Sequence, residues 1–198
     1  MNYGLPVLRM MPLYGLLCML SLVLLMVSPV HGEPLPVYKK LGGNFTLTSH
    51  LGEPVSLDQF KGKIVVVNFG YTSCPDICPM VLARLTQLER LLGEHADKVQ
   101  VLFISFDPER DSQQRLKEYL DYFSPNFIGL TGSEAELAQV AKQFGAVYVA
   151  QKSESAAGTL FSHSDFIYLL DKEGQVRGLY NNDDTIQEIH EDIISIYP

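Results

Sequence analysis

The sequence predicts an α/β fold, a mixed sheet flanked by helices on both faces. Three observations carry this. Residues 64–69 and 99–106 are runs of β-branched and apolar side chains, the composition of strands covered on both sides. Each run is followed by apolar residues at helical spacing. The end of the chain reads as two strands and a closing helix. With 198 residues, the chain falls within the range of a single domain. Its composition, 46% hydrophobic and 19% charged, excludes a collagenous, low-complexity or wholly disordered protein. The 15 basic and 23 acidic residues give a formal charge of −8, and no basic stripe is present to neutralise phosphates, so nucleic acid is not an expected partner.

Residues 10–30 carry no charge, are rich in Leu, Met and Val, follow Arg9 and give way to Glu33 and Pro34. This is an export segment, read either as a signal cut near Gly32 or as an N-terminal membrane anchor, because 21 uncharged residues are long enough to span a bilayer. A lone Arg does not fit a mitochondrial transit peptide, so the expected location is the bacterial periplasm, free or anchored to the inner membrane. Cys18 lies inside the apolar run and reads as a signal-core residue. The expected organisation is a leader or anchor at 1–32, a tether rich in Pro and Gly at 33–43, and one folded domain at 44–198.

Within the domain, Phe45 and Leu47 alternate with Thr46 and Thr48 as a half-buried strand does, and Val55 starts a return strand after a turn at 51–54. After the strand at 64–69, Val81, Leu85, Leu88 and Leu92 predict a helix stopped by Gly93. After the strand at 99–106, Asp111 with Gln114 is expected to cap a helix whose core face is Leu116, Tyr119, Leu120 and Phe123. A short strand follows at 127–130. Ser133 with Glu136 then caps a helix carrying Leu137, Val140, Ala141 and Phe144, ended by Gly145. Residues 151–159 read as a polar loop. The strands at 166–170 and 175–180 are joined by Asp171-Lys172-Glu173-Gly174, a hairpin turn with Gly in the left-handed position, and Ile186, Ile189, Ile193 and Ile196 line the last helix. This order of elements is the thioredoxin-like arrangement, with extra helix and strand between the second helix and the hairpin.

Chemistry concentrates at Cys74 and Cys78, where a buried strand ends and a helix begins, the place where open α/β sheets collect ligands. A disulfide closing so short a loop is a weak staple, so redox work or metal binding explains the pair better. Free N–H groups and the helix dipole favour a thiolate at Cys74, and the i to i+4 spacing is expected to set both sulfurs on one helix face. Two chemistries stay open at this point, disulfide formation and ion binding. Thiolates joined by an imidazole suit copper, with zinc as competitor. His50, His95 and His190 sit in bland settings, whereas His163 precedes the strand that enters beside the cysteine helix. Thioredoxin-like reductases place a cis-proline at that entry and two residues between their cysteines. This chain has no proline from 126 to 197 and has three residues between its cysteines, which favours a ligand site.

The run Gly70-Tyr71-Thr72-Ser73-Cys74-Pro75-Asp76-Ile77-Cys78-Pro79, then Asp107-Pro108-Glu109-Arg110-Asp111, then His163 ahead of Tyr168-Leu169-Leu170 resembles the Sco/SenC family of copper-binding proteins that assist cytochrome c oxidase assembly. The resemblance spans roughly residues 45–196 and implies copper, Cu(I) or Cu(II), held by Cys74, Cys78 and His163 in a thioredoxin-like fold tethered to a membrane. It also implies a cuproprotein acceptor, a cytochrome c oxidase subunit, and a thiol reductant or copper donor as further partners. Two positions depart from the family pattern. Ser162 stands where an acidic residue often precedes the histidine, with Asp165 as a candidate replacement, and Ser73 stands where His is common. The functional expectation is a copper metallochaperone. The alternative is a periplasmic thiol:disulfide oxidoreductase that uses Cys74 and Cys78 as its catalytic redox pair on a copper-site apoprotein; a peroxidase and a redox or copper sensor are more distant readings. Asp107 to Asp111 reads first as turn and capping chemistry and second as residues that shape the site, and Tyr71 as packing or a lid.

Overall fold

The structure, a computed structural model, describes residues 34–152 and 159–197. The predicted export segment lies outside them. Among the described residues no helix is long and apolar enough to cross a membrane.

Among the described residues, nine strands and four α-helices run in the order β1 (Thr46–Ser49), β2 (Pro54–Ser56), β3 (Ile64–Gly70), α1 (Ile77–Leu92), β4 (Val99–Ser105), α2 (Gln113–Asp121), β5 (Ile128–Thr131), α3 (Glu134–Phe144), β6 (Tyr148–Lys152), β7 (Thr159–His163), β8 (Ile167–Leu170), β9 (Val176–Tyr180) and α4 (Ile186–Ile196). Seven strands form one sheet in the order β2-β1-β5-β4-β3-β8-β9. β3 pairs in parallel with β4, and β4 with β5, while β8 runs antiparallel to β3. The expected mixed sheet is therefore present, with the thioredoxin-like element order.

Period-two alternation along β3 divides the core. Val65, Val67 and Phe69 face the layer containing Leu137, Val140, Ala141 and Phe144 of α3. Ile64 and Val66 face the layer built by α1, α2 and α4. On α1 the apolar stripe Val81, Leu82, Leu85, Leu88 and Leu92 is buried, each side chain stabilising the fold by roughly 1.5–3 kcal/mol. The predicted capping box of α3 is present, with Ser133 accepting from the Glu136 amide and Glu136 reaching back to Ser133. Asp171 to Gly174 turns between β8 and β9 with Gly174 at φ 81°.

Three expectations change. α2 is capped by Ser112, whose hydroxyl accepts from the Arg115 amide, and not by Asp111, which is fully buried. A short buried carboxylate that meets hydroxyl and amide donors from other elements satisfies those instead of its own helix. The polar stretch read as a loop at 151–159 has Gln151 and Lys152 in β6 and Thr159 in β7, paired antiparallel as a separate two-stranded sheet, so His163 ends a strand. Small polar residues hid the strands from a pattern search. At 34–43, Arg177 donates to the carbonyls of Leu35 and Pro36, Tyr38 donates to Val176 at 2.9 Å, and Gly42 donates to Gln143 at 2.8 Å, so this stretch lies against β9 and α3.

Candidate metal centre

β3 delivers the chain into the turn that carries Cys74, and α1 begins at Ile77. Cys78 therefore sits in the first helical turn, 1% exposed, while half-buried Cys74 precedes the helix. The expectation that both sulfurs share a helix face is corrected: the turn before the helix, not helical periodicity, brings them together. Gly70 makes room for the Cys78 sulfur. A Cβ there would lie 2.9 Å from Cys78 Sγ and 2.7 Å from the Phe103 ring, so no larger residue fits without displacing the sulfur or the ring.

His163 arrives from the end of β7, with Nε2 3.6 Å from Cys78 Sγ. Its Nδ1–H donates to the Ser164 carbonyl at 2.9 Å, which fixes the ring with Nε2 facing the sulfurs. The ligand atoms of Cys74, Cys78 and His163 all lie within 4.8 Å of one another. That span matches three donors flanking one ion at bond lengths of roughly 2.0–2.3 Å. Two soft sulfurs and one imidazole suit copper or zinc better than a hard cation. The donors open on a cleft of about 400 Å3 lined by Tyr71, Pro75, Asp76, Leu160 and Phe161.

The two sulfurs share one proton. The Cys78 thiol donates to Cys74 and, with His163 and the amides of Asp76 and Cys78, holds Cys74 down at about 3 despite burial. Cys78 is pushed up by that same hydrogen bond, by burial and by the charge on Cys74. Burial pulls His163 down, but hydrogen bonds to Cys74 and the Ser164 carbonyl and the charges of Cys74 and Asp165 outweigh it, so its net direction is upward. A soft cation entering this site displaces the shared protons, and binding is thereby coupled to pH.

The loop before Cys74 is pinned on both sides. Asp111, 0% exposed, accepts from the Thr72 amide at 2.9 Å, the Thr72 hydroxyl at 2.6 Å and the Ser105 hydroxyl at 2.6 Å. Arg115 of α2 donates to the Thr72 hydroxyl at 2.6 Å and to Ser73 at 3.3 Å. One residue earlier, the Tyr71 hydroxyl accepts from the Phe161 amide at 3.2 Å, tying the cysteine turn to the strand that carries His163. The Tyr71 ring meets His163 at 6.0 Å and Phe161 at 5.1 Å. Tyr71 thus packs and bonds at the site, the first of the two expected roles. Arg110 lies over the Tyr71 and Phe161 rings at 5.7 and 5.9 Å while its Nε donates to Asp107 at 2.5 Å, so the Asp107–Arg110 pair does shape the wall of the site.

The departures from the family pattern also find their places. Ser162 is exposed and accepts from Gln151 at 2.7 Å. It lines the same cleft as Cys74 and His163, where it brings a hydroxyl in place of a charge. The Asp165 carboxylate accepts from Asn182 at 2.6 Å and reaches His163 only through space. His50 accepts from the Gly129 amide at 2.9 Å, His95 packs near Tyr197, and neither they nor His190 join the cluster. Sequence reasoning missed the role of Asp111 and the Tyr71–Phe161 bond. The segment 107–111 marked the place, but burial of one carboxylate leaves no periodic signal.

A family model described as SCO1/SenC matches residues 35–197. The SCO2-like protein of Rickettsia felis is 38% identical over 153 residues, covering 77% of this chain and 75% of that protein. The copper-bound structure of Bradyrhizobium japonicum ScoI superposes with a TM-score of 0.73 at 36% identity, over 79% of this chain and 99% of that one. The structure of BsSco, a member of the Sco family of cytochrome c oxidase assembly proteins in which a disulfide switch was identified, has a TM-score of 0.68 at 26% identity, over 83% of this chain and 98% of that one.

Proposed function

Because this chain belongs to the SCO1/SenC family, we propose that it is a copper metallochaperone in which Cys74, Cys78 and His163 hold one copper ion and pass it to a cuproprotein acceptor, the copper centre of cytochrome c oxidase. The observation that carries the reading is the convergence of three soft donors, from the turn after β3, the first turn of α1 and the end of β7, within 4.8 Å of one another. Two thiolates and an imidazole favour Cu(I). Copper is cargo here, and the half-exposed cleft suits release as well as capture. Capture requires reduced sulfurs. Transfer of two electrons from the Cys74 thiolate and Cys78 thiol to an external oxidant, with release of the one proton they share, would make a disulfide and remove two ligands, so loading and redox state are linked. The solved copper-bound relative supports the metal, and the disulfide switch in BsSco supports the link. The uncharged residues 10–30 support export to the bacterial periplasm, as a cleaved signal or as an anchor in the inner membrane.

Metal analysis of the reduced chain after copper loading and desalting tests the reading against His163→Ala. The expected result is one copper per chain, lost or strongly weakened in the variant. Equal stoichiometry and equal spectra in both would remove the histidine from the site. Retained thiol:disulfide exchange would then favour the oxidoreductase, which needs only Cys74 and Cys78.

A further inference from the structure

A second groove, of about 600 Å3, adjoins the copper cleft and shares Phe161 with it. Its floor is aromatic: Phe106 stacks on Tyr148 at 4.8 Å with the rings 5° from parallel and meets Phe161 edge-on at 5.2 Å. One wall is α3, where Ala135 and Ala138 let another main chain approach closely. The opposite wall is β6, which among the described residues pairs with β7 alone.

The register shows which groups β6 leaves open. Residues of an antiparallel pair alternate between turning their N–H and C=O toward the partner and away from it. The Phe161 amide goes to Tyr71 and not to β6, so Phe161 and its cross-strand partner Ala150 form a non-hydrogen-bonded pair. The N–H and C=O of Ala150 therefore point outward from the hairpin, and the two-residue repeat sends those of Tyr148 the same way. Ala150 is itself exposed and lines the groove.

The rim is acidic. Asp107 is taken by Arg110, but Glu109 and Glu134 are exposed, and the charge of Glu134 is felt at Tyr148 on the floor. A second copy of this chain would bring the same two carboxylates and a further formal charge of −8, so self-pairing along β6 is opposed electrostatically.

We propose that this groove docks an extended segment of the copper acceptor, added as a strand to the outer edge of β6 at Tyr148 and Ala150, with apolar side chains on the Phe106–Tyr148–Phe161 floor and a lysine or arginine at Glu109 and Glu134. The inference rests on the chaperone reading for the identity of the partner. It explains how an acceptor is held beside the cysteines while copper changes hands: main-chain bonds supply affinity, and the acidic rim selects basic partners.

The test uses the reduced, copper-free full chain, labelled for amide NMR, with two acetylated peptides, one alternating lysine and valine and the other glutamate and valine. The lysine peptide should shift the amides of Tyr148, Val149 and Ala150, and the glutamate peptide should not. The double variant Glu109→Lys with Glu134→Lys should weaken binding about tenfold, while Glu191→Lys on α4 leaves it unchanged. Ala150→Pro, which removes one edge donor, should weaken binding without altering charge. Shifts scattered over the whole acidic surface, equal binding of both peptides, or concentration-dependent pairing of the chain through β6 would overturn the proposal. Because no copper is present, failure here leaves the metal assay standing.

Discussion

Replacing Asp111 tests whether the cysteine turn is held from behind. Asp111→Ala strips acceptors from three donors: the Thr72 amide at 2.9 Å and the hydroxyls of Thr72 and Ser105 at 2.6 Å each. The hydroxyls can rotate toward other acceptors, but the Thr72 amide is fixed by the main chain and lies beside a wholly buried site. That amide alone sets a floor of roughly 1–3 kcal/mol for a buried donor left unsatisfied. Removing one partner of a buried charged network sets a ceiling near 5 kcal/mol, so the expected loss is about 3–5 kcal/mol, a large share of the roughly 5–15 kcal/mol that holds a domain together. Asp111→Asn keeps the shape and one carbonyl acceptor, and should cost only about 1–2 kcal/mol. Urea unfolding of the reduced, copper-free chain measures these losses. Competition for Cu(I) against a coloured chelator measures the second consequence. A turn released at Thr72 lets Cys74 wander, so Asn should weaken copper binding roughly tenfold, at the lower end of what partners behind a metal site contribute. If Asp111→Ala unfolds within about 0.5 kcal/mol of the parent and binds copper equally well, the reasoning is wrong, because a change that small is what a surface substitution gives.

Gly70→Ala forces a Cβ to 2.9 Å from Cys78 Sγ and 2.7 Å from Phe103, so it should cost about 1–3 kcal/mol of stability and shift the sulfur-to-copper absorption of the loaded protein; an unchanged spectrum would mean that the sulfur does not sit over this glycine. In the reduced apo chain the Cys74 thiolate, held down at about 3, should alkylate with iodoacetamide at a nearly constant rate from pH 8 to pH 5, whereas a free thiol near 8.5 slows about tenfold per pH unit over the acidic part of that range. Buried Cys78 should stay unmodified, and peptide mapping distinguishes the two. Tyr71→Phe deletes the acceptor for the Phe161 amide, so hydrogen exchange at that amide should quicken and stability should fall by about 1 kcal/mol; unchanged exchange would show that the hydroxyl does not anchor the hairpin.

Much of the fold was legible because it rests on period and composition. The double-sided strands β3 and β4, the stripe of α1, the capping box of α3 and the β8–β9 turn each leave a local signature. Illegible features were those whose partners are distant in the chain. Asp111 looks like a cap in sequence because Asp next to a helix start is usually one, yet its partners are 39 residues upstream at Thr72 and six upstream at Ser105. β6 and β7 escaped because Ala150, Gln151 and Ser162 cut the strand-forming pairs Tyr148-Val149 and Leu160-Phe161 short, so neither run is long enough to read as a strand without its partner.

By itself the sequence determined the chemistry available: two thiols separated by three residues at the end of a buried strand, a histidine before the strand that re-enters the sheet, and a motif resembling that of copper-binding proteins. Those identities are local facts of composition and spacing. Tertiary structure alone decided that the donors meet, since His163 is 85 residues from Cys78 and reaches it only because a hairpin is hung from Tyr71 and an aromatic wall. It also supplied what separates the two sulfurs beyond the place of Cys74 before the helix: the hydrogen bond from Cys78, the contact with His163 and the deeper burial of Cys78.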